Sequence, residues 1–148
     1  MTQNDILSTR PLMPSDFEAW LPLWGQYLAQ NDTKMRWPDR TALFRQLAHQ
    51  TDNAAAMIVE CDGKIVGIAH YQIHHARFAF ENAYYVQDIY VIPAFQAQRA
   101  GATLMRAIYA AAQQTGAPAV YWKAAEHLYG TNDTAAATSS FLQFRKAA

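Results

Sequence analysis

The stretch from Tyr90 to Ala102 has a composition that could bind an anion through its backbone. Its sequence is YVIPAFQAQRAGA, in which an apolar segment ends at Pro93 and small and polar residues lead into a predicted helix. The first N–H groups of a helix have no partner within it and lie at the positive end of its dipole. Small side chains beside them let an anion approach the backbone, so this junction is the first candidate for a ligand site.

Three polar side chains that could do chemistry fall inside predicted strands. Asp88 could act as a general base in a partly dry site, with a structural hydrogen bond as the alternative. His70 and Gln72 share one strand face and could line a substrate cleft, whereas a histidine satisfied in the core is the alternative for His70. His70 and His74 would lie about 13 Å apart, at roughly 3.3 Å per residue, which is too far to share one zinc ion. We therefore expect no metal site.

The elements that position these residues follow from hydrophobic periodicity. Asp62–Gly63 predicts a type I′ hairpin turn, which needs positive φ at both central residues. In the strand after it, Ile65, Gly67, Ala69, Tyr71 and Ile73 are predicted on one face, and Val66, Ile68, His70, Gln72 and His74 on the other. The predicted strands are Ile6–Arg10, Ala55–Glu60, Lys64–His74, Asn82–Ile92, Pro118–Lys123 and Phe141–Arg145.

Three helices are predicted between these strands. Ser15 and Glu18 match a capping box, and Pro22 predicts a kink or two shorter pieces in the helix that follows. The predicted helices are Ser15–Gln30, Pro38–Gln50 and Gln96–Thr115, the last capped by Gly116, and a short helix within Ala124–Ser140 is left open. The order β α α β β β α β (α) β predicts a mixed α/β (α+β) fold in which antiparallel hairpins precede one β-α-β unit.

Composition bounds the class of protein. The 148 residues are 51% hydrophobic and 16% charged, which predicts one globular domain over residues 1–148. Lys+Arg and Asp+Glu both number 12, so charge gives no reason to expect nucleic acid or an anionic membrane as a partner. The single cysteine, Cys61, excludes an intramolecular disulfide. We found no signal peptide and no stretch of 18 apolar residues, so we expect a cytoplasmic protein.

The junction resembles the acyl-CoA motif of the GNAT superfamily of N-acetyltransferases, Q/R-x-x-G-x-G/A. Gln96 and Gly101 match the motif, and Arg99 replaces its central glycine. The family's segments are matched in order over about residues 10–146, by TRPLMPSDFEAWLPLW, the hairpin followed by IVGIAHY, VQDIYVIP, AVYWK and FLQFRK. The resemblance implies a largely antiparallel central sheet flanked by helices, with a strand–loop–helix site for acyl-CoA.

The resemblance also implies acetyl-CoA as cosubstrate and backbone groups that hold it. The N–H of Ile89 would polarise the thioester carbonyl and hold its oxyanion, and Val91, on the same strand edge, would bind the pantetheine arm. The pyrophosphate would lie on amides between Ala97 and Ala102. The coenzyme-binding residues implied are Ile89, Tyr90, Val91, Gln96, Ala97, Gln98, Arg99, Ala100, Gly101, Ala102 and Asn132.

Arg99 is the main departure from the family pattern. If its backbone adopts positive φ, a residue other than glycine costs about 1 kcal/mol or more. Its Cβ could block a phosphate; alternatively, its guanidinium turns outward and pairs with a phosphate of the coenzyme.

The family's acid and base are matched incompletely. Many members carry an asparagine that contacts coenzyme, which Asn132 matches, and a later tyrosine acid, for which Tyr129 is the nearest candidate. Some members place a carboxylate base where this chain has Tyr85, which leaves the base open, including a water relayed by His70 or Asp88. The catalytic candidates are Ile89, Asp88, His70 and Tyr129, and the substrate-binding candidates are Trp37, Tyr27, Gln72 and Tyr85.

Trp20, Trp24, Tyr27 and Trp37 lie in the region that flanks the acceptor cleft in the family. We expect Trp20 and Trp24 to pack the first helix on the sheet, and Trp37 to be a lid candidate.

We therefore predict an N-acetyltransferase that moves an acetyl group from acetyl-CoA to a primary amine of a small molecule. A non-catalytic binding module on the same fold is the alternative, because Arg99 and the missing tyrosine depart from the motif. A structural protein whose exposed aromatic residues form an interface is the third hypothesis. A homodimer is left open.

Overall fold

The computed structural model describes residues 6–74, 82–96, 99–117, 119–123 and 141–144, with the backbone alone for 119, 122, 123 and 141–144. Six strands form one sheet in sequence order, and all neighbours are antiparallel except β4 and β5, which are parallel. This confirms the predicted mixed, largely antiparallel fold. The strands are β1 (Leu7–Pro11), β2 (Ala54–Cys61), β3 (Lys64–His74), β4 (Ala83–Val91), β5 (Ala119–Lys123) and β6 (Phe141–Phe144).

Helices cover both faces of the sheet. The helices are α1 (Phe17–Gln30), α2 (Trp37–His49), α3 (Pro93–Gln96) and α4 (Ala100–Gln114). The helices α1 and α2 pack on one face, and α4 packs on the other and connects β4 to its parallel neighbour β5. No helix in the described ranges is long and apolar enough to cross a membrane.

The start of α1 differs from the prediction. Residues Pro14–Asp16 form a 3₁₀ turn, and the carboxylate of Asp16, rather than the predicted Ser15 cap, accepts a hydrogen bond from the Met13 N–H at 2.7 Å. The guanidinium of Arg10 donates to the same carboxylate at 2.8 and 2.9 Å, which lowers the pKa of Asp16. This ion pair fixes the connection between β1 and α1.

Pro22 lies inside α1 without dividing it, so the two shorter pieces allowed by the sequence do not form. A proline removes the hydrogen bond to the carbonyl four residues earlier, here that of Glu18. Both Glu18 and Pro22 are exposed, so water can reach the freed carbonyl.

The β2–β3 hairpin confirms the predicted turn, because Asp62 and Gly63 have φ of 53° and 77°. The register then skips Val66, since Glu60 pairs with Ile65 and Val59 with Gly67. This bulge exchanges the predicted faces of the first two apolar residues: Val66 packs in the core beneath α4, and Ile65 packs towards α1 and α2. From Gly67 onwards the predicted alternation holds.

The two faces of the sheet have different cores. Beneath α4 the core is largely aliphatic, and α4 approaches the sheet at Gly67, where an added Cβ would lie 3.3 Å from Leu104 Cδ1. Beneath α1 and α2 the core is rich in aromatic rings, including the predicted core residues Trp20 and Trp24, and it encloses the buried side chain of His70.

Candidate active site

The edge of β4 changes partner halfway along the strand. In the described part of the chain, the β4–β5 ladder ends at the Val86–Trp122 pair. The next residue, Gln87, is skipped in the β3–β4 register, in which His70 pairs with Asp88 and Tyr71 with Val86. Such a bulge bends a strand and re-aims the side chains that follow. The segment after Gln87 therefore diverges from the ladder and carries the candidate residues.

The backbone of this segment has a defined orientation. The Ile92 N–H donates to the Val66 carbonyl on β3 at 3.0 Å. Because N–H groups alternate between the two edges of a strand, Tyr90 shares this direction, and Ile89 and Val91 point to the opposite edge, where the ladder with β5 has ended. The Val91 carbonyl on that edge accepts a hydrogen bond from Gln96 Nε2 at 2.9 Å. Among the described residues, the Gln96 side chain contacts this part of the β4 edge at the Val91 carbonyl.

Three residues separate Gln96, the end of α3, from Ala100, the start of α4. The predicted single helix Gln96–Thr115 is wrong at its start, because Arg99 adopts φ 64° and ψ 20° and separates α3 from α4. The Arg99 carbonyl accepts from both the N–H and the hydroxyl of Thr103, each at 2.9 Å. At the other end, Gly116 has φ 79° and confirms the predicted C-terminal cap.

The first amides of α4 are free of helical partners. Thr103 is the first residue whose N–H bonds back into the helix, so Ala100, Gly101 and Ala102 present N–H groups that the helix does not use. The Arg99 side chain does not cap this end, and a Cβ built on Gly101 meets no described atom outside its own helix within 4 Å. This end of α4 has both the unused donors and the open space that an anion needs. The predicted contacts Ala97 and Gln98 lie outside the described residues.

Arg99 adopts the positive φ that the sequence analysis considered for a residue at the place of the motif's central glycine. Its φ is positive, and its side chain is exposed and forms no ion pair within the described part of the chain. The guanidinium is therefore available to a ligand at the start of α4.

A hydrogen-bonded chain links β4 to α1. Oδ2 of Asp88 lies 3.2 Å from Nδ1 of His70, and the indole N–H of Trp20 donates to Nε2 of His70 at 3.1 Å. The side chain of His70 is 2% exposed and that of Asp88 is 26% exposed. Oδ1 of Asp88 has no hydrogen-bond partner among the residues that the structure describes. Asp88 thus connects a buried histidine to the surface beside the open edge of β4.

Further aromatic side chains lie on the same face of the sheet as Trp20, His70 and Asp88. Tyr85 stacks on Tyr121 at 5.0 Å between ring centroids, and His74 meets the Tyr85 ring edge-on at 6.0 Å. Tyr27 of α1 contacts the ring of Tyr90 at 6.4 Å. Two of the predicted substrate contacts, Tyr27 and Tyr85, therefore lie on the face that carries Asp88.

Tyr90 is tied down by α1. Its hydroxyl donates to Oε1 of Gln26 at 2.7 Å, and burial raises the pKa of this tyrosine. Its backbone N–H faces β3, whereas those of Ile89 and Val91 face the edge on which the described β4–β5 ladder has ended.

Gln72 and Trp37, the other two predicted substrate contacts, are held in contacts away from Asp88. Gln72 donates to the Asp52 carbonyl at 2.8 Å and so holds the turn before β2. Trp37 is 60% exposed at the first residue of α2, with the Arg40 guanidinium 4.7 Å from its ring centre. Tyr129 and Asn132 lie outside the described residues. Trp20, which the sequence assigned to packing alone, supplies the indole N–H that His70 accepts.

A family model describing the acetyltransferase (GNAT) family matches residues 16–132 of the chain. The chain belongs to this family and is an acyl-CoA-dependent N-acetyltransferase. The predicted resemblance is thereby confirmed, and the alternative of a non-catalytic module is not supported.

The similar proteins include named acetyltransferases of small amines. The chain is 32% identical over 122 residues to the D-amino-acid N-acetyltransferase HPA3 of Saccharomyces cerevisiae, covering 80% of this chain and 75% of the relative. Its fold is similar to the aminoglycoside acetyltransferase AAC(6')-Iy in complex with a bisubstrate analogue of CoA, with a TM-score of 0.71 at 18% identity, over 90% of this chain and 86% of that one. It is also similar to an aminoglycoside acetyltransferase, from an uncultured soil metagenomic sample, in complex with sisomicin. That TM-score is 0.70 at 22% identity, over 89% and 86% of the two chains.

Proposed function

We propose that this chain transfers an acetyl group from acetyl-CoA to the primary amine of a small molecule. The proposal rests on two sets of backbone donors that the described strands and helices leave without a partner: those of Ile89 and Val91 on the β4 edge, and those in the first turn of α4. The relative HPA3 makes D-amino acids the first acceptors to test, and the similar folds make aminoglycosides the second.

The residues present fit the coenzyme. The amides of Ala100, Gly101 and Ala102 would hold its pyrophosphate, because they combine free donors with the helix dipole. The open space in front of Gly101 would admit a phosphate to contact distance. The exposed Arg99 would add a charged hydrogen bond to a phosphate, which compensates for its own strained backbone.

The chemistry needs an activated carbonyl and a deprotonated amine. Acetyl-CoA supplies the acetyl group as a thioester. The Ile89 N–H would donate to the carbonyl oxygen and stabilise the negative charge that develops there, and the Val91 N–H would hold the adjoining arm.

Asp88 is the proposed general base. It is adjacent to Ile89 in the chain, and its Oδ1, which no described residue contacts by a hydrogen bond, can take the proton of the attacking ammonium directly or through a water. The nitrogen–carbon bond forms and the carbon–sulfur bond breaks; the nitrogen then loses its second proton, and the thiolate takes up one proton to leave as free thiol. Tyr129 stays the candidate acid for that last proton.

The sharpest test is Gly101→Ala, measured by calorimetric titration with acetyl-CoA. Because the new Cβ meets no described atom outside its own helix within 4 Å, the fold should keep its stability or gain up to about 1 kcal/mol from the better helix former. The methyl group would occupy the space proposed for phosphate, so we expect the Kd for acetyl-CoA to rise by roughly tenfold or more, about 1.4 kcal/mol.

Gly25→Ala is the matched control. Gly25 lies within α1, where an added Cβ has one ordinary contact, with Arg40 Nη1 at 3.8 Å. It should gain similar helix stability and leave the Kd unchanged. Unaltered binding by Gly101→Ala would contradict the α4 site, and absence of acetyl transfer by the wild type to any amine in the panel would contradict the function.

A further inference from the structure

The buried polar side chain of His70 is the feature that the proposed reaction does not use directly. It lies among Trp20, Trp24 and Asp88, with its ring 4.8 Å from that of Trp24 between centroids. A polar group buried to this degree costs stability unless its hydrogen bonds are satisfied. Both ring nitrogens have partners, and the two partners are chemically different.

The partners determine where the proton of His70 lies. The Trp20 indole nitrogen is a donor only, so Nε2 of His70 must present a lone pair to it. A neutral imidazole then carries its proton on Nδ1, which faces Oδ2 of Asp88 at 3.2 Å. Trp20 thus fixes the tautomer that allows His70 to donate to the carboxylate.

We infer that His70 is a positioning residue for Asp88, held in its donor tautomer by Trp20. The inference rests on the proposed function, because the arrangement matters for catalysis only if Asp88 takes the proton of the amine. The hydrogen bond from Nδ1 holds Oδ2 towards the core and leaves Oδ1 to face the acceptor. It also stabilises the charged carboxylate next to the bulge, where the strand edge opens.

A double-mutant cycle with Asp88→Asn tests this inference. His70→Phe fills the aromatic cage without a ring nitrogen and should lower kcat by roughly tenfold or more, with the KM for acetyl-CoA unchanged to within about threefold. In the Asp88→Asn background the same replacement should change kcat by less than about threefold, because the residue on which it acts has gone. His70→Asn keeps an amide N–H near the position of Nδ1 and should recover most of the lost kcat.

Each failure has its own outcome. If Asp88→Asn lowers kcat but folded His70→Phe does not, the positioning inference is overturned and the function stands. The inference is also overturned if His70→Phe lowers kcat equally in both backgrounds, since its effect is then independent of Asp88. If Asp88→Asn has no effect, the proposed base fails.

Nitrogen-15 NMR of the wild type tests the tautomer without activity or a variant that must fold. We expect a proton on Nδ1 of His70 and none on Nε2. A proton on Nε2, or on both nitrogens, in the resting protein would overturn the inference.

Discussion

The two faces of the sheet contribute different kinds of group to the candidate site. On the α4 face, the side chains of Ile89 and Val91 are buried in an aliphatic core, and only their backbone groups reach the open edge. On the α1 and α2 face, Trp20, His70 and Asp88 form a chain of side-chain hydrogen bonds within an aromatic core. One face therefore offers the backbone and the other offers side chains.

This difference has a physical reason. Backbone donors need only a strand that diverges and a helix that starts uncapped, so the side chains around them are free to pack as hydrocarbon. A carboxylate and an imidazole must have partners when they are buried, and a tryptophan supplies both apolar surface and one donor. We expect variants of the α4 face to change coenzyme binding and stability, and variants of the α1 and α2 face to change turnover.

Asp88→Asn should have the largest effect. The replacement preserves shape and can still accept from His70, but it cannot take a proton. Loss of a general base predicts a fall in kcat of roughly 100-fold or more, with the KM for acetyl-CoA nearly unchanged. Steady-state kinetics with an accepted amine, varying each substrate in turn, measures both. A wild-type kcat in this variant would break the comparison, because the α1 and α2 face would then supply no base.

Gly67→Ala should have the next largest effect, on stability. Its Cβ would lie 2.8 Å from Val59 Cγ1 and 3.2 Å from Val91 Cγ2, both buried branched side chains that cannot swing aside. Overpacking of this kind costs about 1–3 kcal/mol, which denaturant unfolding would measure. Because the strain pushes on Val91 and on α4, acetyl-CoA binding should also weaken in the folded fraction.

The control for Gly67 is the same replacement at Gly101, where the added Cβ meets no atom. Gly67→Ala should lose stability and Gly101→Ala should not, although both lie on the α4 face. Equal stabilities would mean that α4 does not approach the sheet as closely as the distances at Gly67 indicate.

Local sequence was sufficient for most of the fold. The Asp62–Gly63 turn needs nothing beyond two residues that tolerate positive φ. The succession of strands along the chain follows from apolar runs of suitable length. The errors lie where tertiary structure decides. The Val66 bulge depends on the register with β2, and the continuity of α1 through Pro22 depends on which side of the helix faces water.

The candidate site divides along the same line. The motif at Gln96–Gly101 predicted a site at the start of α4, because the backbone groups of an anion site come from residues that are consecutive in the sequence. The chain from Trp20 to His70 joins residues 50 apart in sequence, and no local pattern carries such a contact. Trp20 therefore resembled any other core aromatic residue, and Asp88 lacked a visible partner until His70 was placed opposite it.

Arg99→Gly should have the smallest effect of these variants. At this residue, relief of backbone strain favours stability, whereas loss of the guanidinium weakens coenzyme binding. Glycine relieves the positive φ of Arg99, so stability should rise by about 1 kcal/mol in denaturant unfolding. It also removes the guanidinium, so the Kd for acetyl-CoA should rise by roughly threefold to tenfold if the side chain pairs with a phosphate.

Titration with S-acetylpantetheine, which lacks the pyrophosphate and 3′-phosphate, should show no difference between wild type and Arg99→Gly. Arg99→Asn tolerates the same backbone without the charge and should match the weaker acetyl-CoA binding. Tighter binding by Arg99→Gly would mean that the arginine obstructs the coenzyme. Its guanidinium would then not offset the cost of its positive φ, and the proposed pairing with a phosphate would be wrong.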